Sequence, residues 1–414
     1  MKTRNIFMAL LMVLMNSTTL MAQEEHPQWI KEIIELESQI DKYYEQKKWA
    51  QISDCMEKLR KIFYAQSVEE RKKECRREDL DHSFYYNFAC YSSLAGKTSR
   101  ALQAFEKFTQ CVEVGEVELN LSRINNDADL DHIRKAKRFI SCMERITPYG
   151  DYLAKLKSAS SYQKATVAES VRFRYMEPND SNLVFLRQYY NLDSIAGCGD
   201  GISKIKNLLH WVHEVVPHDG SSYNPTEKNT HAMIQLCQKE NRGVNCRMMA
   251  QMLAEVYLSM GFKARFVTCL PREYVSDCHV ITTVYSCTLD KWVWVDPTFD
   301  AFVTDENGVM LSISEVRSRL REDKELCLND YANWNHKSKQ TKEHYLDYYM
   351  AKNLYYLSCP EISRYNAETW EEGRTYKYHV LMPHQELDKE AKAVGNDIRT
   401  ADEEWFWQSP YDKL

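Results

Sequence analysis

Cys246, His279 and Asp296 are the residues whose types and order could carry covalent chemistry. A thiol can attack a carbonyl, an imidazole can take and return a proton, and a carboxylate can orient the imidazole. Each sits beside an expected boundary between elements. Gly243-Val-Asn-Cys246 precedes a run in which Met249, Met252, Leu253, Val256 and Met260 recur at helical spacing, and Gly261 stops it. Cys246 therefore falls in the first turn of a helix. Unsatisfied N–H groups and the positive end of the helix dipole lie there and favour thiolate over thiol.

Three strands must bring the other two groups to that helix end. Lys263–Leu270, Val280–Tyr285 and Lys291–Val295 are rich in aromatic and β-branched residues. If the last two form a hairpin with Cys287–Asp290 as its loop, Ser286 faces Lys291 and Ile281 faces Asp296. His279, two residues before Ile281, then shares a face with Asp296 on a diagonal of about 7–8 Å between backbones. His279 opens one strand and Asp296 closes the next.

Gly-Val-Asn-Cys at 243–246, Ser-Met-Gly-Phe-Lys-Ala-Arg-Phe-Val at 259–267, Cys-His-Val at 278–280 and Trp-Val-Trp-Val-Asp-Pro-Thr at 292–298 together resemble the transglutaminase-like superfamily. The resemblance implies a papain-like α+β domain with an antiparallel sheet, and it lays the family's catalytic Cys, His and Asp on Cys246, His279 and Asp296. Arg247 and Val280 depart from the residues the family often has after the cysteine and the histidine, which bears on the substrate cleft more than on the triad. A cysteine at the edge of an apolar helix is commonly a small buried hydrophobe. The agreement of three boundaries favours the catalytic reading. The backbone N–H of Cys246 is the expected first oxyanion donor. The second is sought in the 211–224 region, with His218 and Asn224 as candidates.

At 414 residues and 44% hydrophobic, the chain is long enough for two domains with sizeable cores. A net charge of −6 with interspersed lysines and arginines gives no footprint for nucleic acid. Lys2, Arg4 and the apolar stretch Ile6–Met15 read as a cleavable export signal over residues 1–22, too short for a membrane span. No later stretch reads as a transmembrane helix. The expected location is secreted or periplasmic, where disulfides become feasible. Thirteen cysteines leave at least one free, and Cys269, Cys278 and Cys287 lie close enough in the expected strands for one pair to bridge.

Residues 23–150 read as an all-helical domain. Trp29, Ile33, Leu36 and Ile40 mark one apolar face, and Trp49, Ile52, Met56, Leu59 and Ile62 another. Ala89, a turn at Gly96, Ala101 and Phe105 have helix-pair spacing and resemble a tetratricopeptide repeat, with Phe108 where a small residue is usual. Such a unit serves either as a binding groove for a protein partner or as a helical cap. Residues 151–385 are assigned to the catalytic domain with a C-terminal helical extension, and 386–414 to a charged tail whose Trp405, Phe406 and Trp407 suggest docking. A helix is expected from Tyr345 to Leu357, and an edge strand from Tyr376 to Met382. His210, His213 and His218 lack a fixed-spacing third ligand, so they read as structural or cleft-lining, with no metal and no cofactor expected.

The reading is an exported thiol acyl-transfer enzyme that hydrolyses peptide or amide bonds of a peptide or protein substrate. The alternatives are a cross-linking transglutaminase, or an inactive copy of the fold serving as a protein-binding scaffold.

Overall fold

A computed structural model describes residues 26–114, 119–164, 171–273, 278–391 and 394–411; the export signal expected at 1–22 lies outside them. The chain divides into two compact units, one ending at Asp151 and the other beginning at Tyr152.

The first unit is helical. Helix α1, Gln28–Glu45, buries Ile30, Ile33, Leu36 and Ile40, and α2, Trp49–Tyr64, buries Ile52, Met56, Leu59 and Phe63. Helices α3, His82–Leu94, and α4, Thr98–Glu113, form the pair expected from the alanine spacing. Ala89 and Ala101 are fully buried, which lets the helices approach closely, and Gly96 turns the chain between them at φ +67°. The α1–α2 connection is built the same way. Lys47 takes the left-handed conformation at φ 53°, and Lys48 N–H bonds the Tyr43 carbonyl as Lys97 N–H bonds that of Ser92. The unit therefore contains two helix pairs with one turn design, where the sequence displayed only one. Phe108 is accommodated by Tyr86 and Phe105, at ring separations of 5.2 and 5.6 Å. The acidic run from Asp127 to Asp131 is spent locally: Asp127 caps Asp129 N–H and accepts from Tyr86, and Asp131 pairs with Arg134.

The second unit is α+β. Helices α5, Gly201–Val215, α6, Thr230–Glu240, and α7, Cys246–Ser259, precede a six-stranded sheet. Its strands are β1 Ala264–Leu270, β2 His279–Ser286, β3 Lys291–Val295, β4 Tyr356–Pro360, β5 Tyr378–Leu381 and β6 Ile398–Thr400. Their order is β6-β5-β4-β1-β2-β3, antiparallel except for β5 with β6. The β2–β3 register sets Ser286 opposite Lys291 and Thr282 opposite Val295, the hairpin expected from sequence. Helix α7 is buried from Met248 to Ser259 and packs on β1 and β2. Thr282 donates its hydroxyl to the Ala250 carbonyl at 2.8 Å, pinning the helix to the strand that begins with His279.

Three expectations are revised. The helix expected over Tyr345–Leu357 is a π-helical turn, Tyr345–Met350, and a short helix ending at Asn353; Tyr356–Pro360 is then strand β4, buried throughout. A short apolar run fits either state by periodicity, and pairing with β1 and β5 decides it. Tyr378–Leu381 is interior, because the charged segment supplies β6 beyond it. That segment also carries Phe406, fully buried, whose carbonyl accepts from Arg265 at 2.6 Å. Arg265 is itself fully buried, with the rings of Phe173, Trp292, Phe406 and Trp407 within 5.3 Å of its guanidinium. Finally, among the described residues no disulfide joins Cys269, Cys278 or Cys287.

Candidate active site

Cys246 is the first residue of α7, and the Asn245 side chain caps the helix by accepting from Met248 N–H. The first-turn N–H groups have no carbonyl within the helix to bond. The approach to this turn depends on Gly243. A Cβ there would stand 2.1 Å from the Pro217 carbonyl oxygen. Without one, residues 217–219 run alongside 243–245: Val244 N–H bonds Pro217 O, and Asp219 N–H bonds Val244 O at 2.8 Å. His218 is thereby delivered to the Cys246 side chain.

His279 opens β2 and Asp296 follows β3. His279 Nε2 lies 2.6 Å from Asp296 Oδ2 with both side chains buried. The carboxylate is held from two more directions. Tyr345, from the π-helical turn, donates its hydroxyl to Oδ2 at 2.6 Å, and Thr298 N–H donates to Oδ1 at 2.9 Å. Trp294 Nε1 donates in turn to the Tyr345 hydroxyl at 3.3 Å. With Nε2 spent on Asp296, Nδ1 is the nitrogen left to bond the Cys246 side chain, and among the described residues no oxygen or nitrogen competes for it. Phe299 and Tyr349 flank the imidazole at ring separations of 5.6 and 5.2 Å.

The His218 side chain also bonds that of Cys246. Trp334 Nε1 donates to His218 Nδ1 at 3.0 Å, while Asn335 bonds the backbone N–H and C=O of His218. An indole nitrogen can only donate, so Nδ1 must accept. The neutral ring then carries its hydrogen on Nε2, as a donor toward Cys246. Asn224, the other candidate, accepts from Asn245 and supports the helix cap.

The electrostatics follow from this enclosure. Burial pushes the Cys246 thiol up, but His218 and His279 outweigh it, and the Val280 backbone helps, so the group is lowered to about 6. Burial lowers His279, yet the Asp296 carboxylate and the Cys246 sulfur reverse that, raising it to about 10. Between those values the pair stands as thiolate and imidazolium. Arg247, one of the two departures from the family pattern, is turned aside: it pairs with Glu368 and bonds Thr268.

The three residues singled out from sequence thus come together around one helix end, and His218 joins them. Tyr345 and Trp334 were not foreseen as supporting groups. Trp334 lies in a two-residue strand and Tyr345 in a π-helical turn, far along the chain and too short for any periodicity to mark them. His210 and His213 lie apart from the thiol, bonded to Asp300 Oδ2 and to the Pro297 carbonyl.

Residues 189–297 match the family described as the Transglutaminase-like superfamily, a span that contains Cys246, His279 and Asp296. The chain therefore carries a transglutaminase-like domain, preceded by a helical unit. Among solved structures, a Cytophaga hutchinsonii protein described as a "putative cysteine protease" is 15% identical, at a TM-score of 0.22. The likeness covers 36% of this chain and 49% of that one, so the chain spans about half of its length. No curated protein matches the chain. Among the described residues, no helix is long and apolar enough to cross a membrane.

Proposed function

We propose that the protein is an exported thiol hydrolase in which Cys246 is the nucleophile, His279 the acid and base, and Asp296 the group that orients His279. The observation that carries this reading is the Cys246 thiol, lowered to about 6 beside an imidazole bonded to a buried carboxylate. The thiolate attacks the carbonyl carbon of a peptide or amide. The oxyanion formed takes hydrogen bonds from Cys246 N–H and His218 Nε2–H. The His279 imidazolium gives its proton to the departing amine, leaving a thioester on Cys246. Water then attacks the thioester as His279 takes its proton, and the thiolate leaves.

Water is favoured over a lysine amine as acceptor because His279 is 1% exposed and enclosed by Phe299 and Tyr349. A peptide or protein is the substrate class, and the helical unit, with its two helix pairs of tetratricopeptide-like design, is the place for a protein partner.

Incubation with denatured protein substrates, followed by mass spectrometry of products and of Cys246, tests the proposal. Cleavage with a thioester on Cys246, both absent in Cys246→Ala, is expected. Alkylation of all the cysteines at one slow rate would favour a scaffold instead. Incorporation of a dansyl amine into a glutamine peptide would replace hydrolysis with cross-linking.

A further inference from the structure

At the C-terminal end of α5, His213 and Glu214 form with His336 a second cluster that the proposed reaction does not use. Their ligand-type atoms all lie within 4.8 Å of one another, and His336 Nε2 is 2.9 Å from Glu214 Oε1. His336 sits roughly 120 residues along the chain from the helix that carries the other two, beyond the reach of any spacing rule.

The hydrogen-bond pattern around buried His213 does not close without a cation. Its Nδ1 lies 3.0 Å from the Pro297 carbonyl, which can only accept, so Nδ1 carries the hydrogen. On a neutral ring Nε2 is then an acceptor, and it lies 3.3 Å from Asn333 Oδ1. The amide cannot simply be turned over. Asn333 Oδ1 accepts from His336 N–H at 2.7 Å, and Asn333 Nδ2 donates to the Tyr331 carbonyl at 3.0 Å. Two lone pairs therefore face each other beside a carboxylate and a second imidazole. Either a proton or a metal ion can sit there. Two imidazoles with carboxylate and amide oxygens suit a divalent ion of the zinc class, and the Pro297 carbonyl on Nδ1 is the outer partner that usually orients a ligating histidine.

We propose that His213, Glu214 and His336, with Asn333 adjoining, bind one divalent transition-metal ion. The ion braces the turn 333–336, whose Trp334 and Asn335 hold His218. The metal site stands or falls independently of the hydrolase reading.

The test uses the full chain as Cys246→Ala, which removes the reactive thiolate as a rival ligand, stripped of metal and titrated with Co2+ and Zn2+. Expected are one equivalent of saturable binding, Co2+ spectra of nitrogen and oxygen ligation without thiolate charge-transfer bands, and a rise in thermal midpoint with Zn2+. His336→Ala and Glu214→Gln, at partly exposed positions where folding should survive, should each weaken binding roughly 10–100-fold. Absence of saturable binding, thiolate bands, or binding unchanged by both substitutions would overturn the site.

Discussion

Trp334 donates its indole N–H to Nδ1 of His218 at 3.0 Å, and this one bond decides which nitrogen of His218 faces Cys246. His218→Ala should lower turnover about 10²–10³-fold, the usual effect of losing one oxyanion donor. Trp334→Phe keeps the ring but frees its tautomer. Turnover should fall about tenfold, with smaller change in the alkylation rate of Cys246. Steady-state kinetics beside iodoacetamide labelling separates the two effects.

The pH profile follows from the thiol and imidazole. A thiol lowered to about 6 is deprotonated above that pH, so Cys246 alkylation should rise through pH 6. An imidazole raised to about 10 keeps its proton until then, so kcat/KM should fall as pH passes 10 while alkylation does not. The falling limb reports the acid that protonates the departing amine. Because the two groups titrate together, both limbs belong to the pair.

Asp296→Asn replaces the charge that holds His279 as imidazolium. Turnover should drop by about 10²–10⁴-fold, and the alkylation midpoint of Cys246 should move up toward that of an ordinary thiol. Tyr345→Phe removes one of the donors to Asp296 and leaves the charge in place. A loss of about 1–2 kcal/mol in unfolding free energy is expected, with a smaller kinetic effect than Asp296→Asn. Urea unfolding and pH–rate profiles measure both.

Gly243→Ala puts a methyl group into the Pro217 carbonyl. The 217–219 segment must withdraw and take His218 with it. A destabilisation of about 1–3 kcal/mol should accompany a turnover loss resembling that of His218→Ala. Normal turnover in Gly243→Ala would show that the close approach does not position His218.

Phe406→Ala empties a fully buried position and opens the ring cage around Arg265. A cost of about 3–5 kcal/mol is expected, read by thermal or urea unfolding of the full chain.

The parts of this molecule that sequence displays are those built from short-range rules. The α7 boundary is legible because Asn245 caps it and Met249, Met252, Leu253 and Val256 repeat at helical spacing. The β2–β3 register follows once a four-residue loop is assumed, and it places His279 diagonal to Asp296. What escaped notice rests on distant pairing. Tyr356–Pro360 becomes a strand only because β1 and β5 flank it. The second helix pair was hidden because Lys47 adopts the turn conformation that Gly96 announces elsewhere. Trp334 and Tyr345 reach the site from segments whose local pattern says nothing of where they end.

The seating of Phe406 against Arg265 joins groups 141 residues apart in the chain, and β6 pairs in parallel with β5. Contacts across so long a separation carry a loop-closure cost before they return any stability, so the sheet that carries the imidazole depends on slow, non-local pairing.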